Sequence, residues 1–371
     1  MNIYSDKAYL EMAYSLAEKA KGWASPNPYV GAVIVKNGKI VGLGYHERPG
    51  LPHAEIIALN QAGLKALNAT AYITLEPCTH WGRTPPCVDT VLKSGLKRIV
   101  ISSFDPNPLV YTKGYEKIKA AGIEVNIGLL EEKNKKLNET YIKYITQKIP
   151  FVTLKAALSL DGKTATRSFD SQWISSPETR EYIHLLRGEY DSVMVGINTI
   201  LKDNPLLTVR HPNWKGKTIT RVVLDSELKF PLDAKILNTL SEGKILIFTL
   251  KKGRSVKAES LRKKGVEIIT LPSDNGKIRL KSVLTQLGER GISSLIVEGG
   301  NTLHTSFLDS KLVDKVFLTI SPKLIGGKDA SHFYQGRGAE LIKNSLKLRN
   351  LYFLQIGDDI LIEGYSSCLQ E

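Results

Sequence analysis

The chain has 371 residues, of which 51 are Lys or Arg and 37 are Asp or Glu, for a formal net charge of +14, and it contains three cysteines. This length suits two domains with a core each, and so few cysteines exclude a disulfide-stapled scaffold and fit a reducing, cytoplasmic setting. No stretch approaches the roughly 18 apolar residues of a membrane span, and the charges lack the like-sign runs or basic-aromatic alternation of a polynucleotide-binding surface. Neither membrane nor nucleic acid is expected as a partner, and general basicity suits an anionic small molecule.

At the N-terminus, MNIYSDKAYLEMAYSLAEKA spaces its apolar residues helically and lacks a signal-peptide core, so a helix is predicted over residues 6–21. GAVIVKNGKIVGLGYHE follows as a strand pair turning at Asn37 and Gly38. A helix is expected to begin near His53, ATAYITLEP reads as a buried strand, and a second helix runs from Pro86 to Ser94. The strand RIVISS, the helix GYEKIKAAG and the strand EVNIG complete an alternation that predicts a sheet with helices on its faces. Residues 131–149 read as one polar helix stopped by Pro150, which sets the domain boundary near 148.

The second half alternates again. A strand near 151–159 precedes the helix SPETREYIHLLRGEY, whose Ser176 and Pro177 form a conventional N-terminus. Strands SVMVG, RVVLDS, KILIFTL and VEIITLP come next, then a helix before Gly291. In SLIVEGGNTLHTSFLDSKL a strand meets a helix across Gly299 and Gly300, a pair that fits either a tight turn or the close approach of a phosphate. The pair is not GxGxxG, and a Rossmann domain is not supported.

The residues richest in chemistry are His53, Glu55, Cys78 and Cys87. One imidazole and two thiolates leave a tetrahedral zinc with a position open for water, and Glu55 is placed to move that water's proton. Zinc deaminases use this order, with Pro before the first Cys, as Pro77 is here. Eight residues, THWGRTPP, separate Cys78 from Cys87 in place of the usual two, which makes them a loop beside the metal. Ordinary buried thiols and a closed structural zinc are the alternatives. Cys368 is the third cysteine, and His80 is the residue in reach to close the coordination sphere, although substrate contact is expected of it instead.

The stretches SPNPYVGAVIV, GYHERPGLPHAE, TLEPCTHWGRTPPC, DPNPLV, TLKAALSLDGKTA, DSQWISS, DNPLLTVR and IVEGG occur in one order from residue 25 to 300. Together they resemble the bifunctional deaminase/reductase family of riboflavin biosynthesis. The resemblance implies an α/β chain of two domains. Residues 1–147 would form a cytidine-deaminase-like three-layer α/β/α domain, and residues 148–371 a dihydrofolate-reductase-like α/β domain. It implies one zinc in the first domain and NADPH in the second. The substrate would be a phosphorylated pyrimidine, deaminated at C2 and then reduced from ribosyl to ribityl. A homo-oligomer, dimer or tetramer, is expected.

By the same resemblance, Asn27, His46, His80, Arg83 and Asn107 would surround the substrate of the first step. Ser171, Arg187, Leu207, Arg210 and Glu298 would contact that of the second, with Lys155 as a polar group near the reacting sugar. Ala157, Trp173, Thr199, Asp203, Ser226 and the run Gly300, Asn301, Thr302, Leu303, His304, Thr305 and Ser306 would line the NADPH site. Asp203 and Glu298 are acidic, so a preference for NADPH over NADH rests on the resemblance alone. The chain departs from the family at Tyr111, Thr112 and Lys113, at Trp81, and at Phe169, where Gly is usual. A polynucleotide base deaminase and a non-catalytic zinc scaffold are the competing readings.

Overall fold

Helix α1 (Ile3–Ala17) leads into the hairpin β1 (Gly31–Lys36) and β2 (Lys39–Tyr45), which turns at Asn37 and Gly38, both with positive φ. The computed structural model describes residues 3–82, 84–251 and 255–366. Two compact units divide the chain at residues 148 and 149. The first continues with α2 (Ala54–Ala62), β3 (Thr70–Ile73), α3 (Cys87–Lys93), β4 (Arg98–Ile101), α4 (Lys113–Ala120), β5 (Glu124–Ile127), α5 (Glu131–Leu137) and α6 (Glu139–Gln147). Its five strands are ordered β2-β1-β3-β4-β5. β1 pairs antiparallel with β2 and β3, whereas β3, β4 and β5 run parallel.

Alternation along these strands builds three layers, because successive side chains leave opposite faces. Val33, Val35, Tyr72 and Val100 pack with Leu10 and Ala13 of α1. Ala32, Ile34, Ala71, Ile73 and Ile99 pack on the other face with Ala58 of α2, Val88 and Val91 of α3, and Tyr141 of α6. Helix α2 lies with its backbone against β2. A Cβ at Gly42 would sit 2.2 Å from the Ala58 carbonyl oxygen, and one at Gly44 would sit 2.3 Å from that of Ala54. Gly44→Ala should therefore push away the first turn of α2 and cost about 1–3 kcal/mol of stability, seen as a lower urea midpoint. An unchanged midpoint would contradict this packing.

The polar helix expected over 131–149 is two helices. Asn138 separates them at φ −104°, and its buried side chain explains the break. The Asn138 Oδ1 accepts from the Tyr29 amide at 2.7 Å, and its Nδ2 donates to the Tyr29 carbonyl at 3.1 Å and to the Asn134 Oδ1 at 2.9 Å. A side chain that satisfies another segment's backbone competes with the helix's own ladder. The junction thereby fixes the loop that carries Asn27.

The second unit holds β6 (Phe151–Ser159), β7 (Lys163–Ala165), α7 (Pro177–Gly188), β8 (Ser192–Gly196), α8 (Ile197–Asp203), β9 (Thr220–Leu224), β10 (Ile245–Thr249), α9 (Val256–Lys263) and β11 (Glu267–Thr270). A small hairpin, β12 (Ser273–Asp274) and β13 (Lys277–Ile278), precedes α10 (Leu280–Glu289), β14 (Ser294–Val297), α11 (Asn301–Asp309) and β15 (Lys315–Ser321). β16 (Ser331–His332), β17 (Leu348–Ile356) and β18 (Asp359–Ser366) end it. Ser176 caps α7 by accepting from the Thr179 amide at 3.2 Å.

Nine strands form one sheet, ordered β11-β10-β9-β8-β14-β6-β15-β18-β17. It is parallel from β11 to β15, after which β18 and β17 add antiparallel. Val193, Val195, Val223 and Ile247 face Ile183 of α7 and Leu261 of α9. Met194, Val222, Leu246 and Leu295 face Val283 and Leu287 of α10 and Phe307 of α11. Helices on both faces leave the carboxyl ends of the parallel strands as the open crevice, the usual ligand position in such sheets. Among the described residues, no helix is long and apolar enough to cross a membrane.

Candidate functional site

Each unit has a cavity lined by residues singled out from the sequence. In the first, His53 is the N-cap of α2, Glu55 lies in that helix's first turn, Cys87 opens α3, and Cys78 lies on the loop after β3. Two of the three ligand-type residues are thus at helix N-termini, and Cys78 is on a loop. Among the described residues, His53, Cys78 and Cys87 form the one group of His, Cys, Asp or Glu whose ligand atoms converge, all within 4.8 Å. The His53 Nδ1 lies 3.1 Å from the Cys87 Sγ and 3.6 Å from the Cys78 Sγ. The Cys87 amide donates to the Cys78 Sγ at 3.3 Å.

This donor set suits a divalent cation of borderline softness such as zinc. The Cys87 thiol hydrogen-bonds to Cys78 and, with His53 beside it, lowers the Cys78 pKa, giving that sulfur thiolate character, while the same bond pushes Cys87 up. Burial pushes Glu55 up to about 7, a range in which a carboxyl group both takes and returns a proton near neutral pH. Its Oε2 is buried without a hydrogen-bond partner among the described residues. An orphaned carboxylate oxygen beside three converging ligand atoms has the place that a proton shuttle requires.

The surrounding cavity measures about 420 Å³ and is lined by Asn27, His46, His80 and Asn107, with Asp105 and Tyr141. Arg83 lies outside the described residues. The Asn27 Nδ2 donates to the His46 Nε2 at 2.9 Å, and the His46 Nδ1 donates to the Pro52 carbonyl at 3.3 Å. Burial lowers the pKa of His46, keeping the ring neutral so that both bonds persist and Asn27 is aimed. Asp105 did not stand out in the sequence. It accepts from the Tyr141 hydroxyl at 2.8 Å and from the Asn107 amide at 2.9 Å, and burial raises it to about 6. Glu76, also missed, is buried beneath this loop and accepts from the amides of Asp105, Thr112 and Tyr115. A lone acid between apolar residues gives no local signal of such a role.

The second cavity, about 1220 Å³, opens at the carboxyl ends of the parallel strands. Lys155, Ser171 and Glu298 line it, as do Ala157, Thr199, Asp203, Ser226, Gly300, Asn301, Thr302, Leu303, His304 and Ser306. The structure does not bring Arg187, Leu207, Arg210, Trp173 or Thr305 to this wall. Leu207 packs in the core. Thr305 accepts from the Gln335 amide at 3.0 Å, and Trp173 is 61% exposed, with the Arg180 guanidinium 4.6 Å from its ring centroid.

The Arg187 guanidinium is committed elsewhere. Its Nε and Nη2 donate to Glu298 at 2.6 and 2.8 Å, and its Nη1 donates to the Thr208 carbonyl at 2.7 Å. Burial would push the Glu298 carboxyl up, but Arg187 overcomes it and holds the group at about 2. Burial also draws down Lys155, against the opposing pull of Glu298, and sets His304 at about 4. His184, at about 4 for the same reason, accepts from the Arg210 amide at 3.3 Å. The reacting end of the cavity therefore presents a fixed anion, a softened ammonium and a neutral imidazole. Phe169, at φ +64°, occupies the left-handed region that favours glycine, and its ring carries the Lys202 Nζ at 3.9 Å.

The cavity fits a phosphate-bearing ligand. A Cβ at Gly196 or Gly300 would meet no atom within 4 Å, so bare backbone borders open space where β8 and β14 end. Gly300 is the N-cap of the nine-residue α11, and the positive end of that helix favours an anion beside it.

Residues 3–103 match the family described as the cytidine and deoxycytidylate deaminase zinc-binding region, and residues 150–362 match the RibD C-terminal domain. The riboflavin biosynthesis protein RibD of Aquifex aeolicus is 49% identical, across 96% of this chain and 97% of its own. That of Escherichia coli is 36% identical, across 96% and 98%. The solved structure of Acinetobacter baumannii RibD superimposes with a TM-score of 0.88 at 35% identity, covering 99% of this chain and all of its own. A Thermotoga maritima diaminohydroxyphosphoribosylaminopyrimidine deaminase/5-amino-6-(5-phosphoribosylamino)uracil reductase superimposes at 0.84 and 37% identity, covering 98% and 99%. With both halves matched in order and relatives aligned over nearly their full length, the chain belongs to the RibD family of bifunctional riboflavin-biosynthesis enzymes, a deaminase domain followed by a reductase domain.

Proposed function

We propose that the first unit hydrolyses the C2 amine of 2,5-diamino-6-(5-phosphoribosylamino)pyrimidin-4(3H)-one, and that the second reduces the ribosyl group of the deaminated product to ribityl with NADPH. The observation that carries this reading is the convergence of His53, Cys78 and Cys87 beside the unpartnered Glu55 Oε2. His53, Cys78 and Cys87 would hold zinc, which when bound supplies the Lewis acidity that makes a water nucleophilic. Glu55 takes the proton of the attacking water and returns it to the departing amine. Asn27, steadied by His46, and Asn107 hold the pyrimidine edge by hydrogen bonds, and His80 and Arg83 meet the remainder of the substrate.

In the second unit NADPH, when bound, supplies the hydride. Glu298, locked by Arg187, accepts from sugar hydroxyls, and Lys155 donates a hydrogen bond to the reacting sugar. Ser171 completes the substrate side of this reading, and Arg187 serves it by holding Glu298. Ala157, Thr199, Asp203, Ser226, Gly300, Asn301, Thr302, Leu303, His304 and Ser306 complete the cofactor side.

The full chain tests both halves in one assay, with ammonia release and NADPH oxidation followed separately on the diaminopyrimidine phosphate. Cys78→Ser should lose zinc, by elemental analysis, and ammonia release together, because ligand loss and metal loss are linked. Reduction of already deaminated substrate should persist. Loss of both activities would contradict the division of labour, and ammonia release without bound metal would remove the zinc mechanism.

A further inference from the structure

One wall of the first cavity is a helix to which the mechanism above gives no part. Tyr141, Tyr144, Ile145 and Lys148 all line that cavity, and their spacing puts them on one face of α6. Tyr141 is buried, Tyr144 and Ile145 are half-buried, and Lys148, the C-cap of the helix at φ 58°, is exposed. The row thus climbs from the floor of the cavity to its mouth over about 10 Å, at the helical rise per residue. Its lower end is anchored by Tyr141, whose hydroxyl donates to Asp105. Among the described residues, Lys148 is the only Lys or Arg on the cavity wall, and it has no carboxylate partner. Its Nζ lies 5.7 Å from the Tyr144 ring centroid, a cation–π contact that holds the ammonium on the cavity side without occupying its donors.

We infer that Lys148, steadied by the Tyr144 ring, binds the 5-phosphate of the deaminase substrate. The inference rests on the reading of the first unit as a pyrimidine deaminase. With the C2 amine set against Glu55 and the converging His53, Cys78 and Cys87, the C6 substituent lies on the other side of N1 and diverges from that buried floor. The ribose phosphate it carries must leave along the wall toward solvent, and the face of α6 lines such a route. An ammonium with three donors at the mouth suits a dianionic monoester. The acids that share the cavity, Glu55, Glu76 and Asp105, are all buried, so none stands at the mouth beside Lys148. Glu76 and Asp105 are moreover engaged by backbone amides. The carbonyl end of α6 is itself electronegative, and without the Lys148 charge it would repel a phosphate.

The test follows ammonia release by the zinc-loaded full chain as wild type, Lys148→Ala and Lys148→Arg. Each is given 2,5-diamino-6-(5-phosphoribosylamino)pyrimidin-4(3H)-one and its dephosphorylated ribosylamino counterpart. Lys148→Ala should raise KM for the phosphorylated substrate about 10-fold, the lower end of what a hydrogen bond to a charged group is worth. The kcat should stay within about twofold, because a contact remote from the reacting carbon is made equally in the ground and transition states. KM for the dephosphorylated substrate should move by less than about twofold, and Lys148→Arg should regain most of the loss. Added salt should raise the wild-type KM for the phosphorylated substrate more than that of Lys148→Ala. An unchanged KM for the phosphorylated substrate overturns the subsite. An equal rise on both substrates overturns it in favour of a packing role for α6, and a fall in kcat alone overturns it by placing Lys148 in the chemistry. A wild type that holds zinc yet releases ammonia from neither substrate overturns the deaminase reading itself.

Discussion

Glu55→Gln is expected to reduce ammonia release by about 10²- to 10⁴-fold, the usual contribution of a positioned acid–base group. The amide occupies the same volume and keeps one oxygen, so metal content and melting temperature should hold while the proton shuttle is lost. Burial sets Glu55 at about 7, well above its ordinary range, so an isosteric neutral group costs the fold nothing that the protonated acid did not. Reduction of deaminated substrate, which takes place in the other unit, should be unaffected. Ammonia release within about threefold of wild type would reassign the proton transfer. An equal fall in both activities would show that the substitution had damaged more than its own site.

Glu298→Gln should cost the second unit about 3–5 kcal/mol, because it strands a buried guanidinium. Arg187 would keep its bond to the Thr208 carbonyl but lose the carboxylate that compensates its charge. The pH dependence has a definite sign. Glu298 falls from its ordinary 4.5 to about 2 in the folded chain, so the fold binds its proton more weakly than the unfolded chain does. The stabilisation, roughly 3 kcal/mol, is complete above about pH 4.5 and is lost as pH falls toward 2. Urea unfolding at several pH values should show wild type and variant differing most at neutral pH and converging in acid. Arg187→Met combined with Glu298→Gln should recover part of the loss, since removing both charges of a buried pair is far less costly than removing one. A pH-independent difference would mean that Glu298 acts by packing alone.

Local signals explain what could be read in advance. The hairpin at Asn37 and Gly38, the Ser176 and Pro177 start of α7, and the parallel strand runs depend on neighbours a few residues apart. Their turn residues, caps and apolar runs stand in the chain itself. The single helix expected over 131–149 failed at Asn138 because its partner, the Tyr29 backbone, is 109 residues away. Strands β17 and β18 went unread because antiparallel addition at a sheet's end depends on which strand is free to pair.

The kinds and order of the groups at the first site, His53, Glu55, Cys78 and Cys87, are properties of the sequence, since donor chemistry and spacing belong to the residues. That three of them meet within 4.8 Å is a property of the tertiary structure, which sets α2 against α3 across β3. The pairing of Arg187 with Glu298, 111 residues apart, and the placing of Lys148 on the same cavity as Asn27 and His53 were decided only by folding. Contacts across such separations follow from how the layers pack, and no stretch of chain short enough to be read by its own periodicity contains both partners.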